Sequence, residues 1–157
     1  MSLVPGFQKK ISDEFSIHIA ISKQEIEGIV NINVKVHGED LEKPMMRFYS
    51  EHPFRNNILW IYIKHNQSNQ IVSTGVLLPE SCNIQGLTIP ICEMGFVATI
   101  EDFRNRGLFQ EINEIYEEAM KEKGYLISAI RGIPYYYRRF NYEFCIPFDK
   151  PFIISSK

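Results

Sequence analysis

The chain lacks an apolar run near the roughly 18 residues needed to cross a bilayer. Its longest notable stretch, Ile58-Leu59-Trp60-Ile61-Tyr62-Ile63, falls far short. The start, Met1-Ser2-Leu3-Val4-Pro5-Gly6, has no long apolar core and meets Pro5-Gly6 early, so a cytoplasmic protein with no membrane partner is expected. Cysteine is scarce: Cys82, Cys92 and Cys145 form no CxxC pair, and His18, His37, His52 and His65 include no i, i+4 pair. That argues against a disulfide scaffold and against a Cys/His zinc site, so no metal is expected. Neither charge sign dominates, with 17 basic and 19 acidic side chains and a net charge of -2. A dedicated nucleic-acid binder relying on a broad basic surface is disfavoured. No GxxxxGK[ST] and no GxGxxG occurs, which removes the usual phosphate loops.

What remains is an ordinary globular composition, 45% hydrophobic over 157 residues, with no repeat and no long linker. One domain over 1–157 is expected, burying about 70% of the unfolded surface. Phe15 to Ala20 alternates as a strand, and Ser22 with Glu25 resembles a capping box. The stretch after it is ambiguous. Val30, Ile32, Val34 and Val36 alternate with polar residues as in a strand, yet Ile26, Ile29, Val30 and Val34 make a helical stripe. Leu41 to Ser50 carries helix formers. Residues 57–63 and 71–78 read as a hairpin around the polar turn 65–70. Leu87 to Thr99 is strand-like but broken by Pro90. Leu108, Phe109, Ile112, Ile115, Tyr116, Ala119 and Met120 define the clearest helix, stopped by Gly124. Tyr125 to Ile130 follows as a strand, Gly132-Ile133-Pro134 opens a short tyrosine-rich helix, and Tyr142 to Ser155 reads as one or two closing strands turned at Asp149-Lys150-Pro151.

The chemistry concentrates where a strand ends at Val97-Ala98-Thr99 and a helix begins after Arg104-Asn105-Arg106-Gly107. A helix N-terminus has about four unpaired N–H groups and a partial positive charge. Two arginines and a glycine beside it suit an anion. The bland alternative is a solvated helix start, with Glu101 and Asp102 capping the helix or pairing with the arginines.

Arg104-Asn105-Arg106-Gly107-Leu108-Phe109 resembles the acyl-CoA loop of the GNAT superfamily, the GCN-related N-acetyltransferases, whose pattern is Arg/Gln-x-x-Gly-x-Gly/Ala after a strand. Phe109 stands where Gly or Ala is usual. Gly132 to Glu143, with Tyr137, Phe140 and Tyr142, is similar to the family's aromatic-Tyr-x-x-x-Gly-Phe block, Asn141 replacing Gly. The combination looks most like the N-terminal domain of the "enhanced intracellular survival" subgroup. The chain is then a short relative or an N-terminal fragment.

The resemblance implies an α+β, three-layer α/β/α fold, its mixed, mostly antiparallel sheet splayed at the acetyl-CoA site, and puts residues 25–36 on a helix. It implies acetyl-CoA as acyl donor, held by Val97, Ala98, Thr99, Arg104, Asn105, Arg106, Gly107, Leu108, Phe109, Gly132 and Ile133. It assigns Tyr137 as the acid for the leaving thiolate. It also makes Glu93 a candidate base, expected on the same strand face as Val97 by the period of two. Glu93 as a hydrogen-bonded strand residue and Tyr137 as a core tyrosine are the plain alternatives. Trp60 is expected in the core. Met45, Met46 and Phe48 form a packing stripe or line an acceptor pocket, and Arg138 and Arg139 with their tyrosines resemble an RNA-stacking patch. The acceptor is an amine; a homodimer through exposed C-terminal strands is an option. A competing reading is an acyl-CoA-binding or interaction module with little turnover.

Overall fold

Apolar residues from the strands and helices sort onto the two faces of a single sheet. In the computed structural model, which describes residues 2–133 and 135–145, the sheet has six strands in sequential order. They are β1 (Gln8–Lys10), β2 (Phe15–Ile19), β3 (Leu59–His65), β4 (Gln70–Ile84), β5 (Leu87–Thr99) and β6 (Ile127–Ile130). All neighbours are antiparallel except β5 and β6, which are parallel. Helices α1 (Lys23–His37) and α2 (Glu42–Glu51) cover one face, where Ile29, Val30 and Met45 meet Trp60, Tyr62, Val76 and Leu78. Helix α3 (Leu108–Glu122) covers the other, where Ile112, Tyr116 and Ala119 meet Ile61, Leu77, Cys92 and Met94. This is the expected three-layer α+β arrangement. Trp60 and Met45 are core residues, as the packing reading holds.

Two glycines set the layer spacing. A Cβ at Gly75 on β4 would stand 2.7 Å from Ile112 of α3, and one at Gly28 on α1 would stand 2.8 Å from Ile71. Each helix therefore approaches the sheet more closely than a side chain at that point allows.

The ambiguous stretch is helical. Ser22 caps α1 in a capping box with Glu25, and the buried positions Ile26, Ile29, Val30 and Asn33 follow the helical period. Asn33 occupies an apolar-stripe position and is wholly buried. Its side-chain amide donates to Ile29 O and to Thr74 Oγ1, both at 3.0 Å. A polar residue that satisfies its donors inside the core is what gave the sequence its false alternation.

Pro90 does not break β5. It lies opposite Ser81, and its carbonyl accepts from Leu126 N on the β6 side. The missing N–H thus points where the parallel ladder has not yet begun, since pairing starts at Ile91 with Ile127. Helix α3 ends in a Schellman turn, with Gly124 N on Lys121 O and Tyr125 N on Met120 O, and Gly124 at φ +75°. Of the expected closing strands, residues 142–145 are irregular and 146–155 lie outside the described residues.

Candidate active site

β5 is not a uniform strand. Thr74 pairs with Ala98 and Val76 with Gly95, so β5 spends one residue more than β4 over that interval. The extra residue makes a β-bulge, with Phe96 at φ +50°. The bulge is pinned from α1: Asn33 donates to Thr74 Oγ1, and Thr74 Oγ1 donates to Phe96 O at 3.0 Å. His37 Nε2 lies 2.8 Å from Val97 O, tying the end of α1 to the same place.

That bulge overturns one expectation. Cys92 and Met94 pack on the α3 face, so Glu93 and Gly95 project to the α1/α2 face, opposite Leu78 and Val76. Phe96 joins that face, stacked 6.1 Å from Trp60 and edge-on to Phe48 at 5.5 Å, whereas Val97 packs on the α3 side. Glu93 and Val97 are therefore on opposite faces, because the inserted residue resets the alternation.

The parallel ladder with β6 ends at Met94 with Ile130, while β5 runs on to Thr99. From Gly95 onward the outer edge of β5 has no strand beside it among the described residues, and Val97, Ala98 and Thr99 lie along it. The two strands part there, and Arg131, Gly132 and Ile133 continue the β6 side.

Beyond Thr99 a short 3-10 turn (Glu101–Phe103) leads into the loop before α3. Asn105 and Gly107 are both left-handed, at φ +60° and +74°. Gly107 is the N-cap of α3 and supplies no side-chain bond. The consecutive amides from Asn105 to Phe109 donate to no protein acceptor among the described residues. Glu101 and Asp102 do not seal them. Left-handed residues within such a run gather successive N–H groups into an anion-binding concavity, and the helix end adds its partial charge. Arg104 Nε donates to Thr99 O at 3.3 Å. Arg106 pairs with Glu14 at 3.5 Å and lies over the Phe103 and Phe15 rings at 5.3 and 6.0 Å. Neither arginine meets the two acidic residues expected to compete for it.

The side chains of Leu108 and Phe109 pack into the core. Phe109 is the hub of an aromatic cluster, edge-on to Phe140 at 4.8 Å and Tyr137 at 5.7 Å. Its departure from Gly or Ala is absorbed by the turn of residues 136–140. That turn is a 3-10 helix, Tyr136–Phe140, flanked by left-handed Tyr135 and Asn141. Arg138 covers the Tyr135 ring at 5.1 Å and Arg139 covers Tyr136 and Phe140, each at 5.7 Å, so these rings are occupied by the chain's own cations.

Tyr137 is half-buried, and burial with the neighbouring Tyr136 raises its pKa. Its hydroxyl has no protein partner among the described residues. Glu93 is also raised: burial dominates, Arg131 opposes it, and Glu80 adds to it. Arg131 Nη2 donates to Glu93 Oε2 at 3.2 Å.

Sequence reading missed Arg131, and it missed a buried relay on the α3 face. Cys92 Sγ lies 3.1 Å from Tyr116 Oη, Tyr116 Oη 2.7 Å from Ser128 Oγ, and Ser128 Oγ 2.8 Å from Tyr142 Oη. Burial lifts the Tyr142 phenol to about 12. This chain ties β5, α3, β6 and the tyrosine turn together. Nothing in the sequence spacing of its members announces it. A separate groove of about 530 Å³, between α1 and the β3–β4 hairpin, is lined by Glu25, Asn31, Lys35, Tyr62 and Lys64. It contains none of the expected site residues.

The model of the Acetyltransferase (GNAT) domain family matches residues 19–145. The chain belongs to the GNAT family. No curated protein matches its sequence significantly. Among solved structures, a probable N-acyltransferase from Enterococcus faecalis is 14% identical, with a TM-score of 0.67; the match covers 80% of this chain but only 31% of that one. Glucosamine-6-phosphate N-acetyltransferase from Arabidopsis thaliana is 16% identical over 89% of this chain and 99% of its own, with a TM-score of 0.69. A GNAT family N-acetyltransferase from Escherichia coli, in complex with CoA, is 18% identical over 86% and 72%, with a TM-score of 0.70. At these identities the likeness is one of fold, and it makes this the GNAT fold. No described helix is long and apolar enough to cross a membrane.

Proposed function

We propose that this GNAT domain is an acetyl-CoA-dependent N-acetyltransferase, moving the acetyl group directly to a primary amine. One observation carries the reading: among the described residues, the amides from Asn105 to Phe109 at the start of α3 have no protein acceptor and the edge of β5 beside them has no strand partner. A diphosphate suits the first and a pantetheine arm, running like an added strand, suits the second. Asn105, Arg106, Gly107, Leu108 and Phe109 hold the diphosphate, chiefly through backbone, with Arg104 and Arg106 supplying charge. Val97, Ala98 and Thr99 flank the arm, with Gly132 and Ile133 on the opposite wall. The block around Tyr137 and Phe140 supports a placement nearest the enhanced-intracellular-survival subgroup.

An amine with a pKa near 10.4 is neutral in only about 1 in 2,500 molecules at pH 7, a deficit of roughly 4.6 kcal/mol. Glu93, raised by burial, is the base that takes the proton, directly or through water. The amine nitrogen then attacks the thioester carbonyl, the C–S bond breaks, and Tyr137 gives its proton to the departing CoA sulfur. Its hydroxyl, unpartnered among the described residues, and its raised pKa keep it protonated and available.

Acetyl-CoA should raise the melting temperature of the purified chain, and acceptor-dependent CoA thiol should appear across an amine panel. Tyr137→Phe should lower kcat by about 10²–10⁴-fold, the usual range for a positioned acid. A melting shift without acceptor-dependent thiol across the whole panel would instead support an acyl-CoA-binding module. No melting shift at all would sink both.

A further inference from the structure

Resting on the proposed acetyl transfer, we infer that the acceptor is a zwitterion: a primary amine with a carboxylate or phosphate close by, the ammonium received by Glu93 and the anion by Arg131. The two residues flank the point where the strands part, Glu93 on β5 still paired opposite Ala129 and Arg131 one residue past the last paired position of β6. They meet through a single contact, Arg131 Nη2 to Glu93 Oε2 at 3.2 Å. Their environments differ sharply. The Glu93 side chain is 18% exposed, whereas that of Arg131 is 74% exposed. One end of the pair is anchored in the fold and the other faces solvent with its remaining donors unpartnered among the described residues.

A single-contact ion pair with its arginine in solvent has little net strength, so an incoming group can open it. What replaces it matters. A bare ammonium at Glu93 meets the guanidinium as a like charge and takes its only carboxylate partner among the described residues. An ammonium that brings its own anion restores a partner to Arg131, whose planar fork fits carboxylate or phosphate through two parallel hydrogen bonds. Glu80 reinforces the division. It lies on the same face as Glu93 and acts on it electrostatically, so the β4–β5 side is acidic while Arg131 makes the β6 side basic. Opposite charge side by side at the end of the ladder selects a substrate that carries both signs close together.

The test compares acceptors differing only in the anion, using the full chain and acetyl-CoA with thiol release as readout. Suitable pairs are β-alanine against β-alaninamide and glucosamine 6-phosphate against glucosamine, with spermidine as the cation-only probe. The anion-bearing member of at least one pair should have kcat/KM at least tenfold above its partner and above spermidine, and which pair responds separates carboxylate from phosphate. Arg131→Ala should collapse that ratio toward one, mainly through KM of the anion-bearing member, while Arg131→Lys keeps part of it. A melting curve checks that both variants fold. Equal or better turnover of spermidine and the anion-free members, or an Arg131→Ala effect equal on both members of a pair, overturns the inference and leaves acetyl transfer standing. Absence of any acceptor-dependent thiol, with or without an acetyl-CoA melting shift, overturns the transfer reading, and this one with it.

Discussion

The ring of Tyr137 lies against the α-carbon of Gly132: a Cβ at residue 132 would stand 2.2 Å from Tyr137 Cε2 and 2.9 Å from Cδ2. Glycine is required there by space, since Gly132 has no left-handed φ. Gly132→Ala must therefore push the ring, and with it the proposed acid, away from the cleft wall. Displacing a reacting group by an ångström can cost about 10²-fold. The expected result is a kcat loss approaching that of Tyr137→Phe, with acetyl-CoA affinity, measured by melting shift, changed less than threefold. Parity of kcat with the parent chain would show that the close contact serves packing alone.

The bulge at Phe96 depends on a two-step polar chain from α1. Thr74→Val keeps the shape of residue 74 but removes both the acceptor for Asn33 and the donor to Phe96 O. Leaving buried polar groups unpaired costs about 1–3 kcal/mol. Chemical denaturation should show a stability loss in that range. Because the same bulge turns Glu93 and Phe96 onto one face, kcat should fall as well. An unchanged denaturation midpoint would mean that strand pairing alone holds the bulge.

The elements that obey one period over many residues were legible in the sequence. Alternation found β2, the three-and-four spacing found α3, and Ser22 with Glu25 announced the start of α1. Where a residue serves the site instead of the local pattern, the reading went astray. Asn33 interrupts the helical stripe because its partner is Thr74 on another element. Phe96 leaves no mark at all, since a bulge is a matter of register between two strands, and the faces of Glu93 and Val97 followed it. The Cys92–Tyr116–Ser128–Tyr142 relay joins residues far apart in sequence, and Arg131 gains meaning only beside Glu93. The family resemblance is what singles out the Gly107 loop; the physics of a helix start alone leaves it open.

Gly107 has the opposite character from Gly132. Nothing lies within 4 Å of a Cβ built on it, but its φ of +74° is left-handed. Alanine there carries a strain of about 1 kcal/mol and disturbs the backbone whose amides donate to no acceptor among the described residues. Gly107→Ala should thus raise KM for acetyl-CoA roughly tenfold while kcat at saturation falls less than threefold. Isothermal titration with CoA gives the same answer without turnover. Unaltered affinity would place the diphosphate elsewhere.

Titration of Glu93 gives a signed prediction. Burial, with Glu80 beside it, raises its pKa above the ordinary 4.5 despite the opposing Arg131. A base must be ionised, so the acid limb of kcat/KM climbs through this raised value and lies at higher pH than an ordinary carboxylate would put it. Arg131→Ala removes the one lowering influence and shifts the limb further up; Glu80→Gln relieves a raising one and shifts it down. Stability moves the other way. With the folded pKa above the unfolded one, the contribution is complete below about pH 4.5 and disappears as pH rises through the folded value. Glu93→Gln should therefore melt higher than the parent at pH 7 and lose the acid limb of activity. An acid limb insensitive to both Arg131→Ala and Glu80→Gln would assign it to a different group and leave Glu93 as a strand residue paired with an arginine.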